Sequence, residues 1–104
     1  MRKRSKSRTL NLQWMELSKS IRDSKGKCEV CGSIKTLQVH HLIPRFAYKS
    51  KYRFDPNNLI CLCAVCHKWG CKSFHRNSVV SSEWLRTHKP EQYNWVLEEC
   101  NKNN

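Results

Sequence analysis

At 104 residues, with 38% hydrophobic residues and a mean hydropathy of −0.76, the chain has material for one domain with a small core. No apolar run approaches the roughly 18 residues that span a bilayer, and no apolar stretch follows the basic start, so neither a membrane span nor a secretory signal is expected and a cytoplasmic protein is. The formal net charge of +12 calls for a polyanionic partner, with nucleic acid the leading candidate because neutralised phosphates release counterions. Residues 1–27 hold nine Lys or Arg against Glu16 and Asp23, a net of +7, and the remainder carries +5.

In chain order, residues 1–10 read as a basic tail, disordered until phosphate is present, ahead of a single domain over 11–104. Leu10, Leu12, Trp14, Met15, Leu17 and Ile21 fall at helical spacing, so a helix is expected near 11–22. Gly26 to Cys31, with Gly32, reads as a zinc-knuckle turn. Residues 37–43 alternate weakly and end at Pro44, which suits a strand stopped by proline. A basic loop over 44–57 carries Arg45, Lys49, Lys51 and Arg53, and 59–62 is a second short strand. Ala64 begins a helix to at least Trp69, where Gly70 interrupts it. Residues 79–88 and 90–100 read as closing helices anchored by Trp84, Leu85, Tyr93, Trp95 and Leu97, with His88 on the surface without a partner.

Seven cysteines in a reducing compartment favour metal ligation over disulfides. Cys28/Cys31 and Cys63/Cys66 each have the CxxC spacing that lets two sulfurs converge on one tetrahedral ion. Four ligands from two knuckles make a closed, structural zinc site that contributes folding energy. Cys61 reads as a small buried hydrophobe and Cys100 as a free thiol near the chain's frayed end.

Between the thiol pairs stand His40 and His41, and His67 directly follows Cys66. Adjacent strand residues point to opposite faces, so one histidine can bind a metal while the other faces water or substrate. Successive helical residues diverge by about 100°, so Cys66 and His67 can serve different metals.

The order CxxC, Val39-His40-His41-Leu42-Ile43-Pro44, Asn58, then Cys63-x-x-Cys66-His67 resembles the HNH endonucleases of the ββα-metal, or His-Me finger, type. The segment 53–63, with Trp69 and Glu83-Trp84-Leu85, is most similar to small nucleases encoded by bacteriophages. The resemblance implies an α+β fold: a ββα-metal core over 28–75 with a four-cysteine zinc site, flanked by an N-terminal helix and closing helices over 79–100. By position it makes His40 a metal ligand, His41 the general base, Asn58 the central asparagine that orients the base, and His67 a second ligand. The last ligand departs from the family's spacing. Cys71 stands one turn after His67 where another histidine is common, and His75 stands two turns on, about 12 Å away in an unbroken helix. Either Cys71 replaces the ligand, or Gly70 ends the helix and an insertion brings His75 back; Phe74-His75-Arg76-Asn77 favours the second. A shell completed by water is the third reading.

The implied activity is metal-dependent DNA cleavage leaving 5′-phosphate and 3′-hydroxyl ends, with a structural Zn²⁺ and a catalytic Mg²⁺, Mn²⁺, Ni²⁺ or Zn²⁺. Arg45, Lys49, Lys51, Arg53 and Lys68 flank the proposed centre as DNA contacts, a monomer is favoured, and other phage proteins are candidate partners. A zinc-stapled nucleic-acid-binding module without catalysis is the second reading, and an RNA-directed or toxin-like nuclease the third.

Overall fold

The computed structural model describes residues 6–70 and 73–103. The elements run α1 (Lys6–Lys25), β1 (Leu37–His41), a short helical turn α2 (Ala47–Ser50), a 3-10 turn (Pro56–Asn58), β2 (Leu59–Cys63), a π-helical turn (Val65–Trp69), α3 (Ser78–His88) and α4 (Pro90–Lys102). The fold is α+β: a two-stranded antiparallel sheet followed by a helical turn gives a ββα core flanked by helices.

α1 is longer than the apolar spacing predicts. Lys6 to Leu10, expected in the tail, are helical, while residues 1–5 lie outside the described residues. Lysine, arginine and leucine are good helix formers, and no breaker interrupts the run before Gly26. Gly26 then takes a left-handed φ of 69° and donates its N–H to the Arg22 carbonyl at 2.8 Å, closing the helix. Leu12, Trp14, Leu17 and Ile21 form the half-buried face, which lies against the sheet, and Met15 points to solvent.

The sheet pairs Leu37 with Cys63, Val39 with Cys61 and His41 with Leu59. Every residue of β2 is buried, as its unbroken apolar sequence Leu59-Ile60-Cys61-Leu62-Cys63 requires, whereas β1 is mostly half-covered. Cys28, Ile60, Leu62, Cys63 and Leu85 form the core, with Leu37, Phe74, Trp84 and Tyr93 packed against it. Cys61 is fully buried among them.

The closing-helix anchors divide. Leu85 enters the core, Trp84 and Tyr93 lean on it, and Trp95 meets the Tyr52 ring edge-on at 5.6 Å. Leu97 does not anchor anything: it is 45% exposed. The covered stripe of α4 runs through Gln92, Tyr93, Val96, Glu99 and Cys100, and Leu97 sits about 40° beyond its Tyr93 edge. His88 is exposed but has a partner, stacking on Trp84 with ring centroids 5.0 Å apart and donating from Nδ1 to the Trp84 carbonyl at 3.1 Å.

The connection from β1 to β2 is held by one side chain. Asn58 is fully buried; its Oδ1 accepts from the Ile43 N–H at 2.6 Å, and its Nδ2 donates to the carbonyls of Ile43 at 2.9 Å and Tyr52 at 3.2 Å. The backbone adds a bond from Leu42 N–H to the Asn58 carbonyl at 2.8 Å. From the other side, the Tyr52 hydroxyl donates to Glu99 Oε2 at 2.8 Å, tying the loop to α4. Replacing Asn58 with alanine strands three buried backbone groups, each costing about 1–3 kcal/mol. Asn58→Ala is therefore expected to lower the unfolding free energy of the zinc-loaded protein by about 3 kcal/mol in urea titration; a loss below about 0.5 kcal/mol would show that the loop is anchored otherwise.

Candidate metal centre and catalytic cleft

The Sγ atoms of Cys28, Cys31, Cys63 and Cys66 all lie within 4.8 Å of one another, and Cys31 and Cys63 approach to 3.6 Å. Zn–S bonds of about 2.3 Å in a tetrahedron place sulfurs about 3.8 Å apart, so the donor set fits zinc. The first knuckle is shaped by the Gly32 N–H donating to the Cys28 carbonyl at 2.9 Å, with Gly32 at φ 79°, a conformation that L side chains rarely adopt. Glu29 locks this knuckle to β2: its N–H donates to the Cys61 carbonyl at 2.9 Å, and its Oε2 accepts from the Cys61 N–H at 2.7 Å. Glu29 Oε1 also pairs with Lys89 at 2.9 Å. Burial raises the Cys28 thiol, yet backbone N–H groups of Cys31, Cys63 and Val30 bring it down to about 7. Cys66 is pushed far up by burial and by the three neighbouring thiols. Four thiolates so close together require a cation between them.

The second cluster begins at the residue after Cys66. The ligating nitrogens of His40, His67 and His75 also lie within 4.8 Å of one another. His67 Nε2 stands 3.1 Å from His40 Nδ1 and 2.9 Å from His75 Nε2. Nitrogens facing one another at such distances need a proton or a cation between them, and metal–nitrogen bonds of about 2.1 Å fit three donors about 3.4 Å apart. Burial, reinforced by the neighbouring histidines, pushes His40 down to about 3; burial, His75 and Lys68 push His67 down to about 4. Both rings are neutral at pH 7 with lone pairs available for a metal. His67 Nδ1–H donates to Gln38 Oε1 at 2.6 Å.

His75 reaches the cluster because the helix stops. The turn Val65–Trp69 is closed by the Gly70 N–H donating to the Val65 carbonyl at 2.9 Å, one residue wider than an α-helical bond. A Cβ on Gly70 would meet Val65 Cγ1 and the Val65 carbonyl oxygen at 3.1 Å, so the close approach favours glycine. The chain then runs back along the turn, with Phe74 N–H on the Cys66 carbonyl at 2.8 Å and His75 N–H on the His67 carbonyl at 3.0 Å. Eight residues of separation become adjacent rings, centroids 4.5 Å apart. Cys71 lies outside the described residues.

His41 faces the other way from β1. Its Nε2–H donates to the Arg53 carbonyl at 3.0 Å, leaving Nδ1 as the proton acceptor, and its ring stacks on Trp14 of α1 with centroids 4.5 Å apart. Burial holds its pKa below the ordinary value, as do the positive charges of Arg45 and Arg53, against the opposing pull of the Arg53 carbonyl. Asn58 bonds the Tyr52 carbonyl, the residue before Arg53, so it fixes the segment that orients His41.

The HNH endonuclease family model matches residues 28–69. This segment is similar to the HNH endonucleases. The match takes in both thiol pairs, His40, His41, Asn58 and His67 and ends before His75. Comparison with curated proteins gives no match. Comparison with solved structures gives none either.

Both faces of β1 open on one cleft of about 550 Å³, which Trp14, His40, His41, His67 and His75 line. A larger concavity of about 670 Å³ between α1 and the start of α4 is lined by the Glu29–Lys89 pair but by none of the clustered metal-ligating groups. Arg45 and Lys68 are exposed at its border. Lys49 and Lys51 are exposed on the loop outside it. Arg53 differs: it is 8% exposed, with its guanidinium 5.2 Å over Phe54 and 5.9 Å over Phe46 and its Nε without a hydrogen-bond partner. Two residues escaped the sequence reading. Trp14 was legible only as a helix-face residue, and Gln38 left one signal, its position two residues before His40 on the same strand face.

A structural zinc contributes about 10 kcal/mol or more, comparable with the whole stability of a domain this size. Removal of zinc by a strong chelator, or Cys66→Ser, is expected to abolish the cooperative thermal transition followed by circular dichroism. An unchanged melt after loss of zinc would contradict a structural role.

Proposed function

We propose that this chain is a metal-dependent DNA endonuclease in which His41 is the general base and His40, His67 and His75 hold the catalytic divalent metal. The reading rests on one observation above the others: three imidazoles converge on one face of β1 while the adjacent His41, turned to the other face, presents its Nδ1 to the same cleft. The match of residues 28–69 to the HNH endonucleases supports it.

In this reading Nδ1 of His41 takes a proton from a water molecule, the oxygen attacks phosphorus in line as the P–O3′ bond breaks, and the departing 3′ oxygen takes a proton from solvent, giving 5′-phosphate and 3′-hydroxyl ends. The Arg53 carbonyl fixes the receptive tautomer and stabilises the imidazolium as it forms. Trp14 holds the ring's plane, and Asn58 holds the loop that carries Arg53. His40, His67 and His75 would hold a divalent cation, which would supply charge neutralisation at the phosphate. Three imidazoles suit Mn²⁺, Ni²⁺ or Zn²⁺ better than Mg²⁺. Arg45 and Lys68 contact the phosphates nearest the cleft, Lys49 and Lys51 those further out, and the +12 net charge supports binding of the duplex generally. Arg53 acts chiefly through its carbonyl. One such centre per monomer nicks DNA.

Purified protein and a His41→Ala variant, incubated with supercoiled plasmid and each of Mg²⁺, Mn²⁺, Ni²⁺ and Zn²⁺, test this directly. The variant is expected to nick about 10²–10⁴-fold more slowly. Equal rates would remove His41 as the base, and DNA binding without cleavage in any metal would favour a zinc-stapled binding module.

A further inference from the structure

We propose that Gln38 is a positioning residue for the histidine centre: by accepting the Nδ1–H of His67 it fixes Nε2 as the metal-binding atom of that ring. The inference rests on the reading that His40, His67 and His75 hold a divalent metal.

The register explains why Gln38 is available. It lies two residues before His40 on β1, so both side chains project from the same face of the strand. His67, on the π-helical turn that follows β2, lies within reach of both, contacting Gln38 Oε1 at 2.6 Å through Nδ1 and His40 Nδ1 at 3.1 Å through Nε2. An imidazole has one proton to place. A ring that gives it to Gln38 has its lone pair on Nε2, the nitrogen that also faces His75 Nε2 at 2.9 Å. Without that acceptor, the two tautomers of His67 become nearly equal in energy and the ring can turn about its χ2, so a part of the population presents N–H rather than a lone pair to the metal. His67 is 7% exposed, and water is poorly placed to substitute for the lost acceptor. The residue type matters as well. A neutral amide keeps the donor set at three neutral ligands, whereas a glutamate at this place would make His67 more basic and strengthen its hold on the ion.

The test uses the full chain with zinc in the four-cysteine site and Ni²⁺ as the titrant in calorimetry. Gln38→Leu is expected to weaken Ni²⁺ binding by about 10–100-fold, and Gln38→Glu to match or exceed the original affinity, with zinc content and melting temperature kept in both. Independently of any variant, long-range ¹⁵N–¹H spectra of the metal-free histidine centre should show His67 protonated on Nδ1. If the original protein takes up Ni²⁺ and Gln38→Leu matches it, this inference fails while the metal centre stands. Protonation of His67 on Nε2 also overturns it. If the original protein takes up no Ni²⁺, the inference and the metal reading fall together. Should Gln38→Leu not fold, the Gln38→Glu affinity and the tautomer decide: glutamate weakening Ni²⁺ would contradict the positioning role.

Discussion

The convergence of four cysteine sulfurs is the constraint on which the rest of this structure depends. It joins the knuckle at Cys28 and Cys31 to the end of β2 and the turn after it, two segments more than 30 residues apart in sequence. The core is small, built around Ile60, Leu62 and Leu85, and two of its members, Cys28 and Cys63, are themselves members of the thiol cluster. A metal held by these sulfurs would therefore couple its binding to the packing of the core. The same clasp sets the position of His67, because Cys66 and His67 are consecutive and leave the backbone in different directions.

From that clasp the histidine centre follows through short local devices. Pairing of β1 with β2 brings His40 beside the turn that holds His67. Gly70 ends the turn and the chain folds back, which places His75 against His67 rather than 12 Å along a helix. On the opposite face of β1, the Arg53 carbonyl and the Trp14 ring hold His41, and Asn58 holds the segment that carries that carbonyl. In the proposed mechanism the two faces need opposite properties of the same side chain: lone pairs offered to a metal on one, and a lone pair kept open for a proton on the other. Consecutive residues on a strand supply both within a single cleft.

Much of this architecture was legible in the sequence because it is written in spacing. The CxxC pairs, the two strands, the break at Gly70 and the ββα order all follow from local patterns whose physics is local. What escaped depends on tertiary contact. α1 extends back to Lys6 because basic residues favour helix as readily as they favour a solvated tail, and composition alone does not separate the two. Leu97 looked like an anchor by residue type, but its angular position on α4 leaves it outside the covered stripe. Arg53 looked like a surface cation, yet it is buried beneath Phe46 and Phe54, and its part in the site is a backbone carbonyl, which no side-chain pattern reveals. Gln38 and Trp14 have no motif of their own; only the register of β1 and the docking of α1 disclose what they touch.

The two metal sites are tested most directly by anomalous diffraction from crystals of the zinc-loaded protein soaked with Mn²⁺ or Ni²⁺. Two peaks are expected: zinc among the sulfurs of Cys28, Cys31, Cys63 and Cys66, and the added metal about 2.1 Å from nitrogens of His40, His67 and His75. Occupancy of the sulfur site alone, or a second metal whose ligands omit His40 and His67, would contradict that expectation.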